Sequence, residues 1–159
     1  MKSGKFFGTE TFDPKYIISQ ILLLQSAFYV IQFSLTALLN PIFGLRNDLN
    51  QIFTPYPLDF QDSFTLVYIL SSILSIPFIS AAVVFVVERA RKCLDFVGTI
   101  HFLHLIILIL NSGIPSNMFW WATNGITISL TVLLSEFLCM KIEQQEISLS
   151  FAVKKEEKT

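Results

Sequence analysis

Two carboxyl groups, two imidazoles and two thiols stand in the second half of this chain, within a stretch that is otherwise apolar. They are Asp95 and Glu136, His101 and His104, Cys93 and Cys139. A basic knot, Arg89-Ala90-Arg91-Lys92, precedes them. Imidazole and carboxyl groups carry protons and ligate metal ions. The histidines are three positions apart, which puts them on one helix face, about 60° from each other. An H-x-x-H pair can begin a metal site, but zinc or iron needs three or four ligands, and the two carboxylates lie shallower. The expectation is therefore no metal, with neutral histidines hydrogen-bonded between helices. The two cysteines are 46 positions apart and form no CxxC, which argues against a metal knuckle or a thiol redox site.

The elements that position these groups follow from composition. The chain has 159 residues, 53% of them apolar and 14% charged, with sixteen Phe and a mean hydropathy of +0.62. The apolar residues come in long runs, the pattern of membrane spans. The net charge of −1 supplies no global field to draw nucleic acid, and no nucleic-acid motif is present. Four spans are expected, at about 16–39, 64–87, 94–110 and 118–140. Asp13-Pro14 suits the first turn of a helix that begins just after it. A 24-residue span of this kind is about 36 Å long, enough to cross a hydrocarbon core of about 30 Å with some tilt. No small-residue cleavage site follows the first span, so it reads as an uncleaved anchor.

Residues 1–15 form a polar N-terminus, 16–149 the four-span membrane domain, and 150–159 a tail expected to be disordered. In the 40–62 loop, Leu49, Ile52 and Phe53 are spaced as a short amphipathic turn on the membrane surface. Pro77 falls in the middle of the second span and predicts a kink. Outside the spans, ten basic residues lie on the side of the termini and the 88–93 link, against Arg46 alone on the other. This asymmetry predicts both termini in the cytosol. The fold class is thus all-α, a polytopic four-helix transmembrane bundle.

Each span carries a polar stripe. Gln25, Tyr29, Gln32 and Thr36 share a face of the first span, Tyr68, Ser72 and Ser75 a face of the second, and Asn124, Thr127, Thr131 and Ser135 a face of the fourth. Turned inward, these stripes satisfy one another and let the helices approach closely. His101 and His104 sit at depths of roughly 12 and 16 Å from the end near Cys93. Asp95 and Glu136 lie within about 7 Å of that same boundary, where they form a polar mouth beside Arg91 and Lys92. Trp120 and Trp121 read as anchors in the headgroup belt. Cys93 and Cys139 fall at a boundary where reversible acylation occurs.

No G-x-S-x-G, H-E-x-x-H, phosphate loop or CxxC occurs, and no nucleophile pairs with a base. The chain is expected to be neither an enzyme nor a carrier of any cofactor. A reading from another class is a small proton-coupled transporter or channel built on His101, His104, Glu136 and the glutamine stripe.

Longer runs carry a further signal. Phe12-Asp13-Pro14, Ile18-Ser19-Gln20-Ile21, Leu49-Asn50-Gln51-Ile52-Phe53, Lys92-Cys93-Leu94-Asp95-Phe96 and Thr99-Ile100-His101-Phe102-Leu103-His104-Leu105 belong to one pattern. So do Trp120-Trp121 and Ser135-Glu136-Phe137-Leu138-Cys139-Met140-Lys141 with Glu146-Ile147. Together they resemble the Sys family of Golgi integral membrane proteins. The likeness covers residues 12–149 and is tightest from Lys92 to Ile147; Phe12 stands where the family often has Trp. The resemblance implies a four-span protein of the trans-Golgi that acts as membrane receptor for an Arf-related small GTPase with an acetylated N-terminus. Golgin recruitment and endosome–Golgi traffic follow from that role. Its candidate partner-binding residues are Arg91, Lys92, Asp95, Phe96, His101, His104, Glu136 and Phe137, with membrane lipid as the other partner. Apolar contacts from Leu94 and Leu138 would flank them.

Overall fold

The computed structural model describes residues 13–48, 50–53, 62–87 and 89–156, with side chains as far as Gln145. It contains α1 (Pro14–Leu39), a 3-10 turn (Asn40–Phe43), α2 (Asn50–Phe53), α3 (Ser63–Val87), α4 (Ala90–Ser112) and α5 (Met118–Glu156). Four of these helices are long and apolar enough to cross a membrane. Short links make α1, α3, α4 and α5 run up and down alternately. The bundle therefore has a loop end, with the 40–62 and 113–117 connections, and a basic end, with Arg89–Lys92 and Lys141.

Local chemistry sets the helix limits. Asp13 caps α1, its Oδ1 accepting from the Lys15 N–H at 3.0 Å, and Pro14 takes the first helical position, where a missing N–H costs nothing. Gly113 ends α4 at φ +87°, a conformation side chains rarely adopt, while its N–H still reaches the Ile109 carbonyl. The third span was expected at 94–110, but α4 is longer at both ends. The basic knot is helical from Ala90 on, because Arg and Lys are good helix formers whose long stems let the charge reach water. Likewise α5 continues past Met140 to Glu156 and includes residues 150–156, expected to be disordered. Nothing between Lys141 and Glu156 is Gly or Pro, so nothing stops the helix. Leu49 and the remaining tail residues 157–159 lie outside the described residues. The helix α3 runs through Pro77 unbroken.

Going round the bundle, α1 packs on α3, α3 on α5, and α5 on α4, with lesser contacts closing α4 onto α1 and α3. The inward stripes are where periodicity put them: Ser72, Ser75, Thr127, Thr131 and Ser135 are all buried. Most of their hydroxyls donate down their own helix, as from Thr131 to the Thr127 carbonyl at 2.7 Å and from Ser135 to the Thr131 carbonyl at 2.6 Å. They act as small spacers that bring backbones close, more than as bridges between helices. Bridges do exist, from Ser80 Oγ to the Thr131 carbonyl (3.2 Å) and from Gln20 Nε2 to the Val86 carbonyl (2.7 Å).

Two expected surface features are interior. The short helix α2 does not lie on the membrane with its polar side outward. Gln51 is buried, and its Oε1 accepts from Asn40 Nδ2 at 2.9 Å, while the Phe53 carbonyl accepts from Asn111 Nδ2 and Ser112 Oγ at the end of α4. Buried polar groups need partners, so α2 turns its glutamine inward and closes the loop end. Of the two tryptophans only Trp121 is exposed, its indole N–H donating to the Pro115 carbonyl at 3.0 Å. Trp120 is buried against Leu108, Tyr68 and Leu105, a core residue with no belt role.

Candidate functional site

The residues singled out by sequence fall into two groups at two levels. His101 and His104 are buried in the loop half, on the face of α4 turned toward α1. His101 Nδ1 lies 3.0 Å from the Val97 carbonyl, so that nitrogen carries a proton. His104 Nδ1 lies 3.4 Å from the Tyr29 hydroxyl of α1. The Phe28 ring packs on both imidazoles, with centroids 5.4 and 5.3 Å away. Around them is a cavity that also meets Gln32, Thr36, Gln51, Tyr68 and Asn124, with a water-sized sphere fitting in about 20 Å³ of it. That is room for one or two waters, too little for a metabolite. Among the described residues no group of three His, Cys, Asp or Glu side chains comes together that could hold a metal ion. The histidines tie α4 to α1 through the Tyr29 hydroxyl and the Phe28 and Tyr29 rings.

Below this level the core is dry. Leu24, Ile79, Val83, Phe96, Val97, Ile100 and Val132 form one apolar cluster that fills the bundle between the histidines and the basic end. The buried hydroxyls of Ser80, Thr131 and Ser135 stand in the same layer, each donating to a backbone carbonyl.

At the basic end Cys93 and Cys139 meet across α4 and α5, Sγ to Sγ 3.5 Å, both free and fully buried. Acylation needs an exposed thiol, so neither residue stands as the boundary position suggested. One turn further along α5, Glu143 accepts the Ala90 N–H at 3.1 Å. The first turn of a helix leaves backbone donors unpaired, and the Arg89 side chain at the N-cap makes no capping bond to them. A carboxylate from the neighbouring helix supplies it. Sequence reasoning passed over Glu143 because it looks like one charge in a charged tail. The nearby signal was the absence of Ser, Thr, Asp or Asn before Ala90, which leaves a helix start without its own cap.

Around this joint the candidate docking residues divide. Arg91, Lys92 and Asp95 are exposed, Glu136 is half-buried, Phe137 is 48% exposed and Leu94 57%. The Lys141 ammonium sits 4.7 Å above the Phe137 ring. Phe96, His101 and His104, by contrast, are buried in the bundle and present no surface to a partner at its end. Asp95 and Glu136 do not pair: among the described residues neither carboxylate makes an ion pair or hydrogen bond. The mouth is a charged rim around a packed joint.

A family model described as SYS1, integral membrane protein S linking to the trans Golgi network, matches residues 7–149. The protein SYS1 homolog of Nematostella vectensis is 33% identical over 144 residues, covering 91% of this chain and 92% of the relative. The protein SYS1 homolog of Dictyostelium discoideum is 32% identical over 144 residues, and there the match spans 91% of this chain but 62% of the longer relative. No solved structure matches.

Proposed function

Because the chain belongs to the SYS1 family of integral membrane proteins linked to the trans-Golgi network, we propose that its basic end is a docking platform for a small GTPase. The occupant is an Arf-related GTPase whose acetylated, amphipathic N-terminal helix reaches the membrane from the cytosol. The excess of Lys and Arg at this end supports a cytosolic orientation. Acetylation removes the terminal ammonium charge, so such a helix can lie against apolar side chains without burying an unpaired cation.

The observation that carries the reading is the grouping of exposed Leu94, Asp95 and Phe137 with Arg91 and Lys92 at the joined ends of α4 and α5. Apolar side chains exposed deep in a span meet lipid tails and need no partner. Here they stand among charges at the boundary, the mixed surface an amphipathic helix matches. One membrane-inserted helix gives only marginal attachment, and a second contact on a resident protein adds avidity and selects the membrane. Golgin recruitment and endosome–Golgi traffic would then follow from the GTPase. The platform binds and performs no bond chemistry.

The test is microscopy of the acetylated GTPase in cells depleted of this protein and re-expressing Asp95→Ala or Phe137→Ala. The expected outcome is release of the GTPase to the cytosol while the variant receptor stays in the Golgi. Full retention with both variants would move the docking site away from α4 and α5.

A further inference from the structure

The two cysteines are the only ones in the chain and stand on different helices, yet their sulfurs are 3.5 Å apart with 0% and 1% of the residues exposed. Buried cysteine often serves as a small apolar filler. Filler does not require two of them to touch across a helix interface with no other thiol in the molecule. We propose that Cys93 and Cys139 are a modification site: a dithiol that a small hydroperoxide converts to an intramolecular disulfide, covalently stapling α4 to α5.

The chemistry balances with the peroxide as oxidant. The sulfur of one cysteine attacks a peroxide oxygen and the O–O bond breaks. That sulfur becomes a sulfenic acid, and with hydrogen peroxide the thiol proton leaves on the departing oxygen as water. The second sulfur, already in contact, attacks the sulfenic sulfur, the S–O bond breaks, and its proton leaves with the hydroxyl as a second water. Overall two thiols lose two hydrogens and one peroxide becomes two waters. Closing the bond to about 2.0 Å brings the sulfurs together by about 1.5 Å.

Burial defines the class of oxidant. A water-sized peroxide can reach the sulfurs through a small opening of the α4–α5 seam, whereas a bulky peptide disulfide such as oxidised glutathione has no face to attack. The first step sets the pace, since buried thiols react slowly. The second is fast because its geometry is preformed. Nothing in this proposal depends on what the neighbouring surface binds.

Two cysteines make the test simple. Membranes holding the full-length chain are exposed to hydrogen peroxide and quenched with catalase. The protein is then denatured and labelled with a polymer-tagged maleimide. The expected result is a change from two tags to none on a chain that still runs as a monomer without reductant, with both tags restored by dithiothreitol. Intact mass should fall by two hydrogens, with no oxygen added. Retention of both tags, loss of one, or a disulfide-linked dimer would overturn the proposal. Loss of tags in oxidised glutathione alone would overturn the assigned oxidant class.

Discussion

At the loop end of the bundle the interior is polar: two histidines, a tyrosine pair and several amides surround a small cavity, and α2 closes it. At the basic end the same four helices enclose mainly apolar side chains, with two thiols and the buried hydroxyls of Ser80, Thr131 and Ser135, and the charges stand outside on the rim. The two regions hold together by different physics. Hydrogen bonds with specific geometry dominate the first, while close packing and one borrowed cap dominate the second. A polar group inside a membrane bundle must find a partner in the protein. The loop half meets only part of its own demand, since amide atoms of Gln25, Gln32, Asn40 and Gln51 are buried without a partner among the described residues, and the basic half turns its charged groups outward.

Several substitutions would break or sharpen that contrast. The largest effect is expected in the dry half. Ile100→Ala removes a fully buried side chain from the apolar cluster, and should cost about 2–5 kcal/mol in thermal or denaturant unfolding of the purified protein in micelles. A loss under about 1 kcal/mol would mean this half is loosely packed. Next comes the closure of the polar half. Asn40 is buried and donates to both Asn47 Oδ1 (3.1 Å) and Gln51 Oε1. Asn40→Ala leaves the Gln51 carbonyl oxygen unpaired, so about 1–3 kcal/mol should be lost. Faster proteolysis in the 40–62 loop should accompany it.

Glu143→Ala tests the borrowed cap. Loss of a helix cap costs typically about 1 kcal/mol, and hydrogen exchange should quicken in the first turn of α4 and not at its other end. Unchanged exchange there would show that Glu143 holds nothing. The smallest effect, and the one most specific to the polar half, belongs to Gln25. Neither of its buried amide atoms makes a well-formed hydrogen bond among the described residues, although the Tyr29 hydroxyl lies near it. Replacing it with an apolar residue of similar shape removes an unmet demand, so Gln25→Leu should leave the unfolding midpoint unchanged or raise it. A clear drop would mean that Gln25 has a partner in the assembled protein.

Much of this architecture was legible from the chain. The spans, their alternation and the inward direction of the serine and threonine stripes follow from run length and a 3.6-residue period, and the structure keeps them. Of the two histidines expected to bond between helices, His104 meets Tyr29 of α1, while His101 bonds the Val97 carbonyl of its own helix. What escaped was anything that depends on how far one helix slides along another. Trp120 and Trp121 are adjacent and chemically equal, yet only the first meets Leu108. Glu143 was one carboxylate among several in a charged tail. Gln51 looked like the wet side of a surface turn until Asn40 was found beneath it.

By itself, then, the sequence determined four apolar spans, the faces they turn to one another, the sided distribution of basic residues and membership in a family. Periodicity and charge are local properties, and each can be counted along one strand of text. The tertiary structure alone decided which residues meet. It joined Cys93 to Cys139 across 46 positions, brought Glu143 to the start of α4, and separated the exposed Asp95 and Phe137 from the buried Phe96, His101 and His104. Period fixes the face of a helix but not its height against its neighbours, and height is set by the packing of all four together.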